Sequence, residues 1–200
     1  MRVVKLGGSL ADWERLPQCL SRLACPGVIV VPGGGPFANQ VRAAQQRWQF
    51  DDATAHDMAL LAMGQFGRML AGLERRFRLA GSLADLQTHA AKGLPAVWLP
   101  RLADIEGSGV AASWDVTSDS LSAWLATRLA ATDLILVKSV RCTPGEATLE
   151  HLVDNGIVDR SFTHFAAAAP CPIWLCDREV SDALTADRLT ERNGLLRIRR

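Results

Sequence analysis

Short apolar runs at residues 3–6, 28–31, 96–99, 134–137 and 173–176 alternate with longer stretches in which apolar residues recur at helical spacing. Runs of this length without polar alternation are the pattern of strands buried on both faces of a parallel sheet. Between them, Trp13, Leu16, Leu20 and Leu23 fall on one helical face, and residues 36–47 form a second helix with Pro36 at a favourable first position. The longest helix spans residues 51–77, with a broad stripe through Met58, Leu61, Phe66, Met69, Leu73 and Phe77. Helices over 82–91 and 117–131 precede the third and fourth strands. The alternation predicts an α/β fold, an open and mostly parallel central sheet sandwiched between helices. No linker, repeat or low-complexity segment interrupts it, so residues 1–200 are expected to form a single domain.

Two of the strands run into glycine turns, and each turn is expected to open a helix. The first reads Lys5-Leu6-Gly7-Gly8-Ser9, the second Val31-Pro32-Gly33-Gly34-Gly35-Pro36-Phe37. Glycine lacks a Cβ, so a phosphate can approach such a backbone and be held by N–H groups. Two cradles suggest two phosphorylated groups held face to face, the geometry of phosphoryl transfer. The first is no Walker A loop, because GxxxxGK[ST] spacing is absent. Its lysine instead precedes the glycines, at the carboxyl end of the strand. From there Lys5 can reach phosphates held by the Gly7 and Gly8 amides and the Ser9 hydroxyl. The second turn also reads as GxGxxA, with Asp51 and Asp52 at a distance suited to a ribose. A dinucleotide fingerprint normally follows the first strand, however, and three successive glycines favour a flatter anion nest.

Composition narrows the partners. A net charge of +1 gives no reason to expect nucleic acid or an acidic membrane surface, and no apolar run has membrane-spanning length. The alternating tail, residues 196–200, reads as an edge strand with a solvated face. Five cysteines without CxxC spacing and four scattered histidines suggest a reduced, cytoplasmic protein without a protein-built metal site. Of the 22 basic residues only Lys5, Lys92 and Lys138 are lysines. Where arginine is the default cation, a retained lysine offers a compact, movable ammonium.

A third element, Trp114-Asp115-Val116-Thr117-Ser118-Asp119-Ser120, leads into a helix that Thr117 or Ser118 can cap. Asp119 at the helix start can orient two lysines. Lys5 is one, and Lys138, ending the fourth strand, is the other, since parallel strands all end at the same sheet edge.

Taken together, the two glycine turns, residues 117–120 and the strand Leu134-Ile135-Leu136-Val137-Lys138-Ser139-Val140 resemble the amino acid kinase superfamily, over residues 3–159. The resemblance implies an ATP-dependent kinase with an acceptor-binding part at about residues 1–115 and a nucleotide-binding part at about 116–200. Lys5 then stabilises the transferring phosphoryl group, Asp119 organises the lysines, and Lys138 is the second catalytic cation. Gly7, Gly8 and Ser9 hold the nucleotide phosphates, and the loop with Ser139, Val140, Thr143 and Gly145 borders the base. Gly33, Gly34 and Gly35 hold the acceptor, and Mg²⁺ sits mainly on the phosphates. Two departures stand out: no lysine follows Lys138, leaving that lysine or an arginine to supply the late cation of many members, and the chain is short.

The short length, the 114–119 phrase and the Ala55-His56-Asp57-Met58 helix resemble the branch containing an aminomethylfuran phosphate kinase. That resemblance implies a phosphate monoester acceptor converted to a diphosphate. A carboxylate acceptor, or a non-catalytic nucleotide-binding protein of the same fold, are the alternatives. Phe37, His56 and Ser118, with Trp48 and Met63, are candidate acceptor contacts. Apolar residues beyond a single stripe on the 51–77 helix (Ala53, Ala55, Ala59, Leu60) suggest a homodimer.

Overall fold

A computed structural model describes residues 1–141, 143, 147–178 and 195–199. Within them, seven strands form one sheet in the order β3-β4-β2-β1-β5-β6-β7: β1 (Arg2–Leu6), β2 (Val28–Pro32), β3 (Arg78–Ala80), β4 (Ala96–Trp98), β5 (Asp133–Lys138), β6 (Ile173–Asp177) and β7 (Leu196–Arg197). All neighbours pair in parallel except β7, which runs antiparallel on β6 as the edge strand expected of the tail. β3, with two of its three residues exposed, is too short and polar to show as an apolar run.

Helices cover both faces: α1 (Leu16–Leu23), α2 (Gly35–Trp48), α3 (Asp52–Leu73), α4 (Leu83–Ala91), α5 (Leu102–Ile105), α6 (Ser118–Arg128), α7 (Leu149–Asp154) and α8 (Phe162–Ala168). The alternation of side chains along each strand sorts the core into two layers. Val3, Val31, Leu134 and Leu136 face the layer filled by α6 and α8, with Trp98 stacked on Trp124. Val4, Leu6, Val30, Ile135 and Val137 face α1 and the Phe66–Leu70 turn of α3.

Several boundaries differ from expectation, each for a local reason. The first glycine turn opens only the 3₁₀ turn Gly8–Leu10, and α1 begins at Leu16 with proline in its first turn. Helix α3 stops at Leu73 because the Glu74 carboxylate accepts from the Arg76 amide (3.1 Å) and its guanidinium, folding the chain back and burying Phe77 outside the helix. Asp51 is the N-cap of α3, its carboxylate 2.7 Å from the Thr54 amide, which accounts for it without a ribose.

The chain passes from β1 to β2 on one side of the sheet and later returns to β5 on β1's other side, so the strand order reverses next to β1. Crevices at such switch points, outside the carboxyl ends of the strands, are where open α/β sheets bind ligands. Here the crevice is made by the two glycine turns, and they touch backbone to backbone. A Cβ on Gly8 would lie 2.4 Å from the Gly35 amide nitrogen, and one on Gly33 would lie 2.3 Å from the Gly8 nitrogen. No side chain fits between them. Gly8→Ala is therefore expected to lower stability by about 1–3 kcal/mol in urea unfolding. Gly72→Ala, at a helical position open to solvent, should leave stability unchanged or raise it by a few tenths. Equal effects at the two positions would contradict the contact.

Candidate active site

Register places the charged residues. Lys5 of β1 lies beside Leu136 of β5, and Lys138 is two residues further on, so both lysines project to the same face of the sheet. That face is covered by α6, whose first turn carries Asp119. The Asp119 carboxylate bridges them: Oδ1 is 2.9 Å from Lys5 Nζ, and Oδ2 accepts from Lys138 Nζ at 2.8 Å. All three are buried, at 3%, 4% and 8% exposure for Lys5, Asp119 and Lys138. Burial alone would raise the Asp119 carboxyl. The two ammonium groups outweigh it and hold the pKa down at about 2. Burial pushes Lys138 the other way, down to about 8, against the pull of Asp119 and with the help of Lys5.

Lys138 Nζ also donates to the Ile157 carbonyl, in the loop between α7 and α8. An ammonium has three donors. Two of Lys138's are engaged, leaving one for a ligand.

The same loop holds Asp119 from behind. Asp159 accepts from the Thr117 and Ser120 amides (2.9 and 3.0 Å) and the Thr117 hydroxyl (2.8 Å), while its other oxygen accepts from the Ser120 hydroxyl. Thr117 is the N-cap residue of α6, but neither its side chain nor that of Ser118 makes a capping bond to the helix amides. Asp159, about forty residues away in sequence, satisfies the N-terminal amides in their place. Reading the sequence alone misses Asp159 because it is one aspartate in an unremarkable Val-Asp-Arg loop, and its partners are assembled only by the fold.

The glycine amides are not all available to a ligand. Gly7 donates to the Val137 carbonyl at 3.1 Å and Gly33 to the Leu6 carbonyl at 2.8 Å, so these two stitch the loops to the sheet. The expectation that both hold phosphate through their amides is corrected accordingly. Gly8 and Ser9, at the start of the 3₁₀ turn, and Gly34 and Gly35, at the start of α2, border a cavity of about 330 Å³. Its wall includes Asn39, Arg42, His56, Met63, Trp114 and Ser118. His56 is 6% exposed and makes no hydrogen bond among the described residues; burial lowers its pKa, so it faces the cavity as a neutral imidazole.

Phe37 is half-buried against two apolar clusters and does not line this cavity. Trp48, at the far end of α2, is 69% exposed and away from it. Both are corrected as acceptor contacts.

A second, more open cavity of about 750 Å³ adjoins Asp119 and Lys138 and is walled by the 153–160 segment. Ser139 is tied to the first glycine turn, its hydroxyl 2.9 Å from that of Ser9. Ser139, the exposed Val140 and the exposed Thr143 line neither cavity, and Gly145 lies outside the described residues. The described wall beside Lys138 is thus the α7–α8 loop and not the 139–145 loop.

Fold and site together define an α/β protein with a kinase architecture. Solved structures with this fold include uridylate kinase from Archaeoglobus fulgidus, at 15% identity and a TM-score of 0.66 over 92% of this chain and 95% of that one. UMP kinase from Bacillus anthracis is another, at 16% identity and a TM-score of 0.65 over 100% and 96%. The chain belongs to the amino acid kinase family, whose model matches residues 1–141. Among curated proteins it is similar to the [5-(aminomethyl)furan-3-yl]methyl phosphate kinase of Methanocaldococcus jannaschii, 30% identical over 144 residues. That match covers 70% of this chain and 66%, just under two thirds, of the relative.

Asp119→Asn removes the one carboxylate that, among the described residues, pairs with both lysines, and leaves two buried ammonium groups facing each other. A loss of about 3–5 kcal/mol is expected in denaturant unfolding at neutral pH. The pH dependence carries the sign. With a folded pKa of about 2, below the ordinary 3.8, Asp119 stabilises fully above about pH 4, and that contribution fades as pH falls toward 2. The Asn variant should lack that part of the acid limb; an identical acid limb in both proteins contradicts the triad.

Proposed function

We propose that the chain is an ATP-dependent kinase that phosphorylates a phosphate monoester to a diphosphate, of the kind named for its Methanocaldococcus relative. The observation that carries the reading is the Lys5–Asp119–Lys138 triad, set beside the first glycine turn and opening through Asp119 and Lys138 onto the second cavity. The cavity bordered by Gly34, Gly35 and His56 takes the acceptor. The nucleotide lies on the Lys138 side, its phosphates reaching Gly8, Ser9 and Lys5.

An oxygen of the acceptor phosphate attacks the γ-phosphorus in line, the bond from that phosphorus to the β-bridging oxygen breaks, and ADP leaves. A phosphate oxygen is already ionised near neutral pH, so no general base is needed. Lys5 and the free donor of Lys138 offset charge on the equatorial oxygens, while Asp119 keeps the two like charges from separating. Among the described residues no group of three or more His, Cys, Asp or Glu could hold a metal. Mg²⁺ would be carried mainly by the nucleotide phosphates, whose charge it neutralises.

The free thiols of Cys25 and Cys176 support a cytoplasmic protein; among the described residues no helix is long and apolar enough to cross a membrane. Ala55 and Leu60 are buried within the fold, but Leu61 on α3 is 61% exposed and Trp48, at the end of α2, is 69% exposed. These exposed apolar side chains support homodimerisation through α3 or its neighbours, and a monomeric mass in sedimentation would contradict it.

Lys5→Ala should lower kcat by ~100-fold or more, the scale of one lost transition-state contact. ADP release across a panel of phosphorylated and carboxylate acceptors then separates the readings. Turnover with phosphate monoesters supports the proposal, turnover confined to carboxylates favours an amino acid acceptor, and tight ATP binding with no turnover favours a non-catalytic role.

A further inference from the structure

The two cavities share three residues, Arg42, Trp114 and Thr117. Arg42 projects from α2, two turns beyond Gly35 and on the same side of the helix. Its guanidinium carbon lies 4.2 Å from the centroid of the Trp114 ring. The indole is held in turn: its Nε1 donates to Gln45 Oε1 at 2.6 Å, and Gln45 Nε2 donates to Asp52 Oδ1 at 2.9 Å and to the Phe50 carbonyl at 3.2 Å. The ring is therefore a fixed plate, and the arginine lies on it.

The contact has a specific chemical consequence. A cation held over an aromatic face uses no hydrogen-bond acceptor, so the guanidinium keeps N–H donors to offer a ligand. No carboxylate competes for them, since Arg42 makes no ion pair or hydrogen bond among the described residues. The other cations at the junction are placed differently. Lys5 and Lys138 are buried and committed to Asp119, and Arg160 is exposed beside Asp115 on the outer wall of the second cavity. His56, buried and without a hydrogen-bond partner, faces the same cavity as Arg42 and adds a neutral donor.

We propose that Arg42, held over Trp114, is the ligand of the acceptor's phosphate, holding it bidentately at the boundary between the acceptor and nucleotide cavities. The inference rests on the phosphate-monoester reading and adds the residue that selects for it. A planar two-pronged cation matches two phosphate oxygens and leaves a third to attack. It also gives this chain an arginine at the transfer point, where Lys138 has only one donor to spare.

The test uses inorganic phosphate and pyrophosphate as probes, titrated into the full-length protein without nucleotide and followed by tryptophan fluorescence. Wild type should show a saturable change that is lost in Trp114→Phe, because the ligand repositions the cation on that indole. Arg42→Gln should bind phosphate ~10- to 100-fold more weakly, the scale of losing a charge-assisted bidentate contact. Arg42→Lys, which keeps the charge but not the fork, should recover only part of it. Arg42 is exposed, so both variants should melt with wild type. Phosphate binding by Arg42→Gln within twofold of wild type overturns the inference and leaves the phosphate-acceptor reading standing. A wild-type protein that binds neither probe, yet turns over carboxylate acceptors, overturns both.

Discussion

A carboxylate buried between two buried ammonium groups fixes three elements at once. Asp119 stays ionised in the interior because the two ammonium groups outweigh its burial, and Asp119 in turn opposes the burial that lowers Lys138. Because one lysine is on β1, the other on β5 and the aspartate on α6, that mutual need ties the two central strands to the helix above them at their carboxyl ends. The net +1 charge of the triad is what the fold presents to a ligand. The glycine turns complete the constraint by pressing together where no Cβ fits, which leaves bare backbone beside the triad.

Around this centre the α7–α8 loop acts as a brace on two fronts. The Ile157 carbonyl holds Lys138, and the Asp159 carboxylate holds the amides that begin α6. The second cavity is walled by the same loop. A ligand there therefore meets the segment that positions both the aspartate and one of its lysines. The first cavity is built differently, from the start of α2, the buried His56 and the Arg42–Trp114 contact.

Much of this was legible in the sequence because it obeys local rules. Buried parallel strands read as unbroken apolar runs, and the two glycine turns, Lys5, Lys138 and Asp119 could be placed at one sheet edge from strand polarity alone. What could not be read was anything assembled between distant segments. Asp159 and its partners Thr117 and Ser120 are about forty residues apart, and nothing in Val158-Asp159-Arg160 marks a helix cap. Nor could spacing show that Gly7 and Gly33 spend their amides on Val137 and Leu6. Phe37 and Trp48 were candidates by composition, yet one turns to the core and the other to solvent. Helical periodicity says which residues share a face, but not which neighbour that face meets.

With only three lysines in the chain, side-chain ¹⁵N NMR can follow each ammonium by name. Titrating ¹⁵N-lysine-labelled protein is the most direct test of the triad. The account predicts that Lys138 Nζ loses its proton near pH 8, well below the ordinary 10.5, and that Asp119→Asn moves this lower still by removing the charge that opposes desolvation. A Lys138 resonance that titrates above pH 10 and is indifferent to Asp119→Asn would contradict it.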